Sequence, residues 1–121
     1  MSVKSRVHKI EIEDHRGRVL GRAGGRTLFD STRAKVLHEG RLPDRLYVPL
    51  EDFDHDLLED SDASTHCPFK GDARYWSIRT PDGLIEDAVW SYPEPKEEVA
   101  EIAGRASFYA EKLDGVDTAA A

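Results

Sequence analysis

Three groups of side chains in this 121-residue chain have the types and spacing that chemistry needs. The first is His66-Cys67-Pro68-Phe69-Lys70-Gly71, in which a thiol stands beside an imidazole and near an ammonium. A nearby cation stabilises the thiolate, so Cys67 is the candidate catalytic nucleophile or acid/base, oriented by His66 or Asp72 and assisted by Lys70. Neighbours in an extended chain point to opposite sides, however, so adjacency does not make His66 the base of Cys67, and an inert buried thiol is the commoner outcome. Lys70 with Gly71 could instead present a cation to an anionic ligand at a backbone turn.

The second group is Asp52, Asp54, His55 and Asp56, hard oxygen ligands with an imidazole that would suit Mg²⁺ or Mn²⁺. The companion motifs are missing. A nucleotidyltransferase would carry a Gly-Ser dipeptide besides Asp-x-Asp, and the chain has none; it also lacks the Gly-x4-Gly-Lys-Ser/Thr loop, the Gly-x-Gly-x-x-Gly turn and the sixth-position Gly of a calcium loop. A solvated acidic loop is expected here, with no metal and no cofactor. The third group is Trp76, Trp90 and Tyr92, joined by Phe108 or Tyr109, with Lys70 and Glu86 as nearby polar groups. Core packing accounts for such aromatics in most small domains. A wall of rings with a few placed polar groups is also the usual form of a small-molecule site.

These groups must be positioned by short strands. His8, Ile10 and Ile12 alternate with charged residues, as a half-buried strand does, and Val19–Leu20, Leu28–Phe29 and Ala34–Leu37 continue the pattern between Gly and Asp turns. Leu46, Val48 and Leu50 alternate as well, with Pro49 marking an edge or a strand end. Leu50–Gly71 has no period and is expected to be a long loop with one helical turn at Asp54–Leu58. Arg74–Thr80 and Leu84–Tyr92 flank Pro81-Asp82-Gly83 and predict a hairpin. Pairing Thr80 with Leu84 would set Trp76 opposite Ala88 and gather Trp76, Trp90 and Tyr92 on one face. Lys96–Ala103 fits a short helix; beyond Gly104, Ala106, Phe108 and Ala110 alternate as a strand, though Val99, Ile102, Ala106, Tyr109 and Leu113 would equally suit one long helix. Of the two, the short helix followed by a strand is expected, with Asp117–Ala121 a frayed tail.

Charge narrows the function. The net charge is −7, yet residues 1–50 hold 11 basic and 6 acidic residues, while Glu51–Asp62 hold 7 acidic and no basic ones. An acidic chain of pI near 5.2 argues against nucleic acid, whose binding depends on Lys and Arg displacing counterions. The acidic stretch is expected to shape the rim or lid of a pocket, faced by Arg6, Arg33 or Arg45 from the first fifty residues. A single cysteine excludes an internal disulfide and a Cys-rich zinc site and fits a reducing compartment. No apolar run near the start resembles a secretory signal and none reaches membrane-spanning length, so a cytoplasmic location without membrane contact is expected.

The run Thr65-His66-Cys67-Pro68-Phe69-Lys70-Gly71-Asp72-Ala73-Arg74-Tyr75-Trp76-Ser77, with Trp90-Ser91-Tyr92-Pro93-Glu94-Pro95 beyond the hairpin, strongly resembles the domain of unknown function family 427. Asp30-Ser31-Thr32-Arg33-Ala34, Tyr47-Val48-Pro49-Leu50-Glu51-Asp52 and Phe108-Tyr109 are similar to its other landmarks, and the likeness covers residues 6–113. The resemblance implies a compact, mainly β, β-tent-like single domain of antiparallel sheets with one or two short helices. It groups the chain with folds such as the thalidomide-binding domain of cereblon, where aromatic side chains cage a small ligand; the paired Cys-x-x-Cys zinc motifs of many such domains are not carried over. The expected organisation is a tail over residues 1–5, the domain over 6–113 and a flexible tail over 114–121. The leading reading is a small-molecule-binding protein whose pocket uses Trp76, Trp90 and Tyr92, with Lys70 and Asp52 as polar contacts. The alternatives are an enzyme using Cys67 with Lys70, His66 and Asp72, and an interaction module whose acidic loop 51–62 meets a basic partner or whose sheet edge meets a second copy.

Overall fold

Apolar–polar alternation interrupted by Gly, Pro and Asp turns produces ten strands in the computed structural model, which describes residues 9–120. They are β1 Ile10–Asp14, β2 Arg18–Ala23, β3 Arg26–Ser31, β4 Lys35–Glu39, β5 Arg45–Pro49, β6 Leu58–Cys67, β7 Gly71–Thr80, β8 Gly83–Ser91, β9 Arg105–Phe108 and β10 Gly115–Ala120. A seven-stranded sheet has the order β1-β4-β5-β9-β8-β7-β6, and a three-stranded sheet the order β10-β2-β3. Every pairing is antiparallel. The fold is mainly β, as expected. Among the described residues no helix is long and apolar enough to cross a membrane. The expected tail over residues 1–5, and Arg6, lie outside the described residues.

The large sheet is buried on both faces at its centre, so neighbouring residues serve different cores. Val48, Trp76, Val89, Ala106 and Phe108 join Val19, Leu28 and Phe29 of the small sheet in the first core. Tyr47, Trp90, Tyr92, Leu37 and Ala73 form the second, on the opposite face, together with Val99 and Ile102. The segment carrying those last two is the expected short helix, a 3-10 helix over Glu97–Ile102. Confined between Pro95 and a left-handed Gly104, it is too short to repay α-helix nucleation.

Three expectations are corrected. Leu50–Gly71 is no loop: 3-10 turns at Leu50–Asp52 and His55–Leu57 lead into β6, a ten-residue edge strand paired with β7. Its backbone hydrogen bonds define it, since its exposed face carries polar residues that leave no apolar period. Gly115–Ala120 is likewise a strand rather than a tail, because the free edge of β2 supplies backbone partners and the Asp114 carboxylate accepts the Gly25 N–H at 2.7 Å. In the hairpin, the turn is Pro81-Asp82 and Thr80 pairs with Gly83, one residue away from the expected register. A bulge then changes the offset, with Asp87 in the left-handed region at φ 50° and its N–H donated to the Ser77 hydroxyl at 3.1 Å. Beyond it Trp76 faces Val89 and Tyr75 faces Trp90. A one-residue slip exchanges faces. Trp76 and Trp90 therefore lie on opposite sides of the sheet.

The small sheet is anchored by one ring. Phe29 pairs with Gly21 across β2 and β3 and packs on Phe53 and Phe108, with ring centroids 5.2 and 4.8 Å away. A Cβ on Gly21 would fall inside the Phe29 ring. Gly21→Ala should lower unfolding stability by about 1–3 kcal/mol through this overpacking, read as a reduced urea midpoint at unchanged m-value; an unaltered midpoint would mean that the ring is free to move away.

Candidate functional site

Adjacent strands of the large sheet direct side chains from the second core into a cavity of about 210 Å³. Leu37 and Glu39 come from β4, Arg45 and Tyr47 from β5, Tyr109 from the end of β9, Trp90 and Tyr92 from β8 and its extension, and Tyr75 from β7. Leu42 and Pro43, in the β4–β5 connection, form an exposed rim. Ser107 lies opposite Trp90 on β9, and its small side chain leaves the larger rings of neighbouring strands to shape the wall. The Trp90 ring sits 4.6 Å from Tyr109 and 6.4 Å from Tyr75, both tilted. The Tyr75 hydroxyl shares a 2.9 Å hydrogen bond with that of Thr65.

The polar groups enter from two sides. Lys70 is delivered by the turn after β6, its N–H bonded to the Cys67 carbonyl at 3.3 Å and its carbonyl accepting from Lys96 N–H at 3.0 Å. Gly71 follows at φ 117°, where a side chain would be strained and would press on the Glu94 carbonyl. The Lys70 ammonium then reaches the Glu39 carboxylate as a buried ion pair. Opposite, the Arg45 guanidinium lies over the rings of Trp90 and Tyr109, at 5.4 and 5.6 Å from their centroids. Burial pushes the Tyr47 phenol up to about 12, opposed by hydrogen bonding with Trp90. Burial also raises Tyr92 and Tyr109 above the usual phenol value. All three stay neutral at physiological pH and can donate as well as accept hydrogen bonds.

Only part of the expected site assembles. Trp90, Tyr92 and Lys70 line the cavity, whereas Trp76 belongs to the other core, with the Arg74 guanidinium 4.3 Å from its ring centroid. Asp52 is also elsewhere, accepting from the Ser31 hydroxyl at 2.6 Å and from Arg33 at 3.1 Å. Cys67 is half-buried and packs against the second core. Its proposed helpers are separated: His66 meets Asp72 at 2.7 Å on the exposed side, while Lys70 is held by Glu39. A larger, more open groove of about 870 Å³ runs past His66, Asp72, Arg74 and Lys96 and, among the described residues, is lined by no Phe, Tyr or Trp.

The acidic stretch is answered largely from within the chain. Glu51 and Asp52 pair with Arg33, Glu59 with Arg79 and Asp60 with Arg74, while Asp54 accepts the Asp56 N–H as an N-cap and His55 hydrogen-bonds the Leu50 carbonyl. Among the described residues no three His, Cys, Asp or Glu side chains converge as a metal shell would require. Of the expected cationic groups, Arg33 does face the acidic stretch and Arg45 faces the aromatic cavity instead. Sequence reasoning did not assign Tyr47, Tyr75 and Glu39 to the site. Tyr47 and Arg45 alternate along β5 and so share a face, but that face is tied to Trp90 only by strand order.

Two consequences are measurable. Lys70→Met leaves Glu39 buried without its cation and should cost about 3–5 kcal/mol in denaturant unfolding, while Lys70→Met with Glu39→Leu should recover most of the loss; equal losses in the single and double variants would refute the coupling. Below pH 10 the Tyr47 phenol is neutral in both the folded and the unfolded chain. Between 10 and about 12 only the unfolded chain ionises it, so stability should fall as pH rises through that window. Tyr47→Phe should make this alkaline fall in melting temperature less steep, leaving the share of Tyr92 and Tyr109, and an unchanged slope would assign the fall to other groups.

No curated protein matches the chain. Residues 11–119, running from β1 into β10, match the model of a domain of unknown function, DUF427, and the chain belongs to that family.

Proposed function

We propose that this domain binds a small molecule in the aromatic cavity of its large sheet. The observation that carries the reading is the convergence of Tyr47, Tyr75, Trp90, Tyr92 and Tyr109 on one cavity that also holds a buried Lys70–Glu39 pair. Packing alone favours an apolar filling at such a place, since a buried ion pair adds little net stability. A pocket instead benefits from a few fixed polar groups among rings, which orient a ligand while the rings exclude water. Neither alternative has comparable support. The thiol lies outside the lining of this cavity, and the carboxylates of the acidic stretch are engaged largely by arginines of the same chain.

The two tryptophans make the test internal. Trp90 lines the cavity and Trp76 reports on the other core. A library of small ring compounds should contain members that shift the fluorescence of Trp76→Phe protein, and the same members should lose affinity by tenfold or more in Tyr109→Ala protein that remains folded. Cys67→Ala should bind them unchanged. A library that leaves Trp90 emission unmoved, or hits indifferent to Tyr109, would end this reading.

A further inference from the structure

Arg45 is placed unlike the other half-buried arginines among the described residues. Arg18 bonds the Asp30 carboxylate and Arg105 bonds the carbonyls of Glu101 and Arg33. Arg45 is held by the faces of Trp90 and Tyr109, and among the described residues no carboxylate or carbonyl accepts its N–H groups. A guanidinium carries five donors in a planar fork that matches a carboxylate two bonds at a time. Stacking holds that fork at the cavity while leaving its edge available.

The charges around the cavity agree. Lys70 pairs with Glu39, so among the described residues Arg45 leaves the lining with one excess positive charge. The Lys112 ammonium stands 4.9 Å from the centroid of the Tyr109 ring, adding a second cation just outside, beside the carboxylate of Glu111, both side chains being exposed. Aromatic cages usually attract cations. Here the chain's own Arg45 and Lys112 already stand over Trp90 and Tyr109, so a cationic ligand at those rings would meet repulsion. One excess charge and one open fork suit a single carboxylate better than a phosphate dianion, and 210 Å³ is below the usual range of drug-sized sites.

We propose that the cavity takes a small flat-ring carboxylate, its ring among Trp90, Tyr75 and Tyr109 and its carboxylate on the Arg45 guanidinium. This assignment rests on the cavity being a ligand site.

Benzoate, benzamide and benzylammonium share a ring and differ in charge, and their binding can be followed by Trp90 fluorescence in Trp76→Phe protein and by calorimetry. Benzoate should bind at least about tenfold more tightly than benzamide, as a hydrogen bond to a charged group implies, and benzylammonium should bind most weakly. Arg45→Gln should bring benzoate to the level of benzamide, with benzamide itself changed less than about twofold, and Arg45→Lys should keep part of the preference because it keeps the charge without the fork. A thermal melt of each variant separates lost binding from lost fold; if Arg45→Gln does not fold, Arg45→Lys decides, and an undiminished benzoate preference there overturns the bidentate role. Equal or better binding of benzamide or benzylammonium would overturn the carboxylate assignment and leave the cavity reading standing. If none of the three binds, the assignment falls, whereas the cavity reading falls only if the wider library also fails to move Trp90.

Discussion

The two-residue turn at Pro81-Asp82 and the bulge at Asp87 together determine which side of the sheet every side chain of β7 and β8 occupies. Pleated strands have a period of two, so pairing offset by a single residue exchanges both faces at once. With the observed offset, Trp76 and Val89 join the small sheet in one core, and Tyr75 and Trp90 turn to the other. The cavity depends on that division. β9 and β5 continue the row, placing Ser107 between Trp90 and the Tyr47 side of the sheet. Shifted by one residue, the same sequence would bring the two tryptophans together, and the wall around Lys70 would lose Trp90.

Electrostatics in this molecule separates into two regimes. The pairs of Glu51, Asp52, Glu59 and Asp60 with arginines are solvent-exposed in at least one partner, and such pairs individually contribute little to stability. Their effect is to spread the charge of a segment that contains 7 acidic residues and no basic ones. The Lys70–Glu39 pair is different because both side chains are almost wholly withdrawn from water, at 11% and 7% exposed. Desolvation offsets most of its attraction. What it provides is position: an ammonium and a carboxylate held together at the wall of a cavity otherwise lined by rings.

The rim of that cavity is built from the β4–β5 connection, and His38 ties it to the sheet. Its ring nitrogens meet Glu13 at 3.0 Å and Asp44 at 2.8 Å, and these hydrogen bonds, Glu13 first, raise its pKa above the ordinary imidazole value. Asp44 immediately precedes Arg45, so the carboxylate nearest in sequence to the guanidinium is directed toward His38. Along the opposite margin Gly71 allows the chain to pass close to the Glu94 carbonyl, which brings Lys70 in from the end of β6.

Local chemistry in the sequence settled a good deal: the mainly β class, the hairpin around Pro81-Asp82-Gly83, and Lys70, Trp90 and Tyr92 as members of one neighbourhood. These features are encoded within a few residues, by alternation, turn propensity and aromatic content. The tertiary structure alone decided the rest. β6 and β10 are strands because β7 and β2 offer unpaired backbone edges, a property of partners distant in sequence. The exclusion of Trp76 from the site follows from a register that the bulge sets. The inclusion of Tyr47, Tyr75, Glu39 and Arg45 follows from strand order, which makes neighbours of residues far apart in the chain. Residue type determined what chemistry each side chain could perform; non-local hydrogen bonding determined which of them meet.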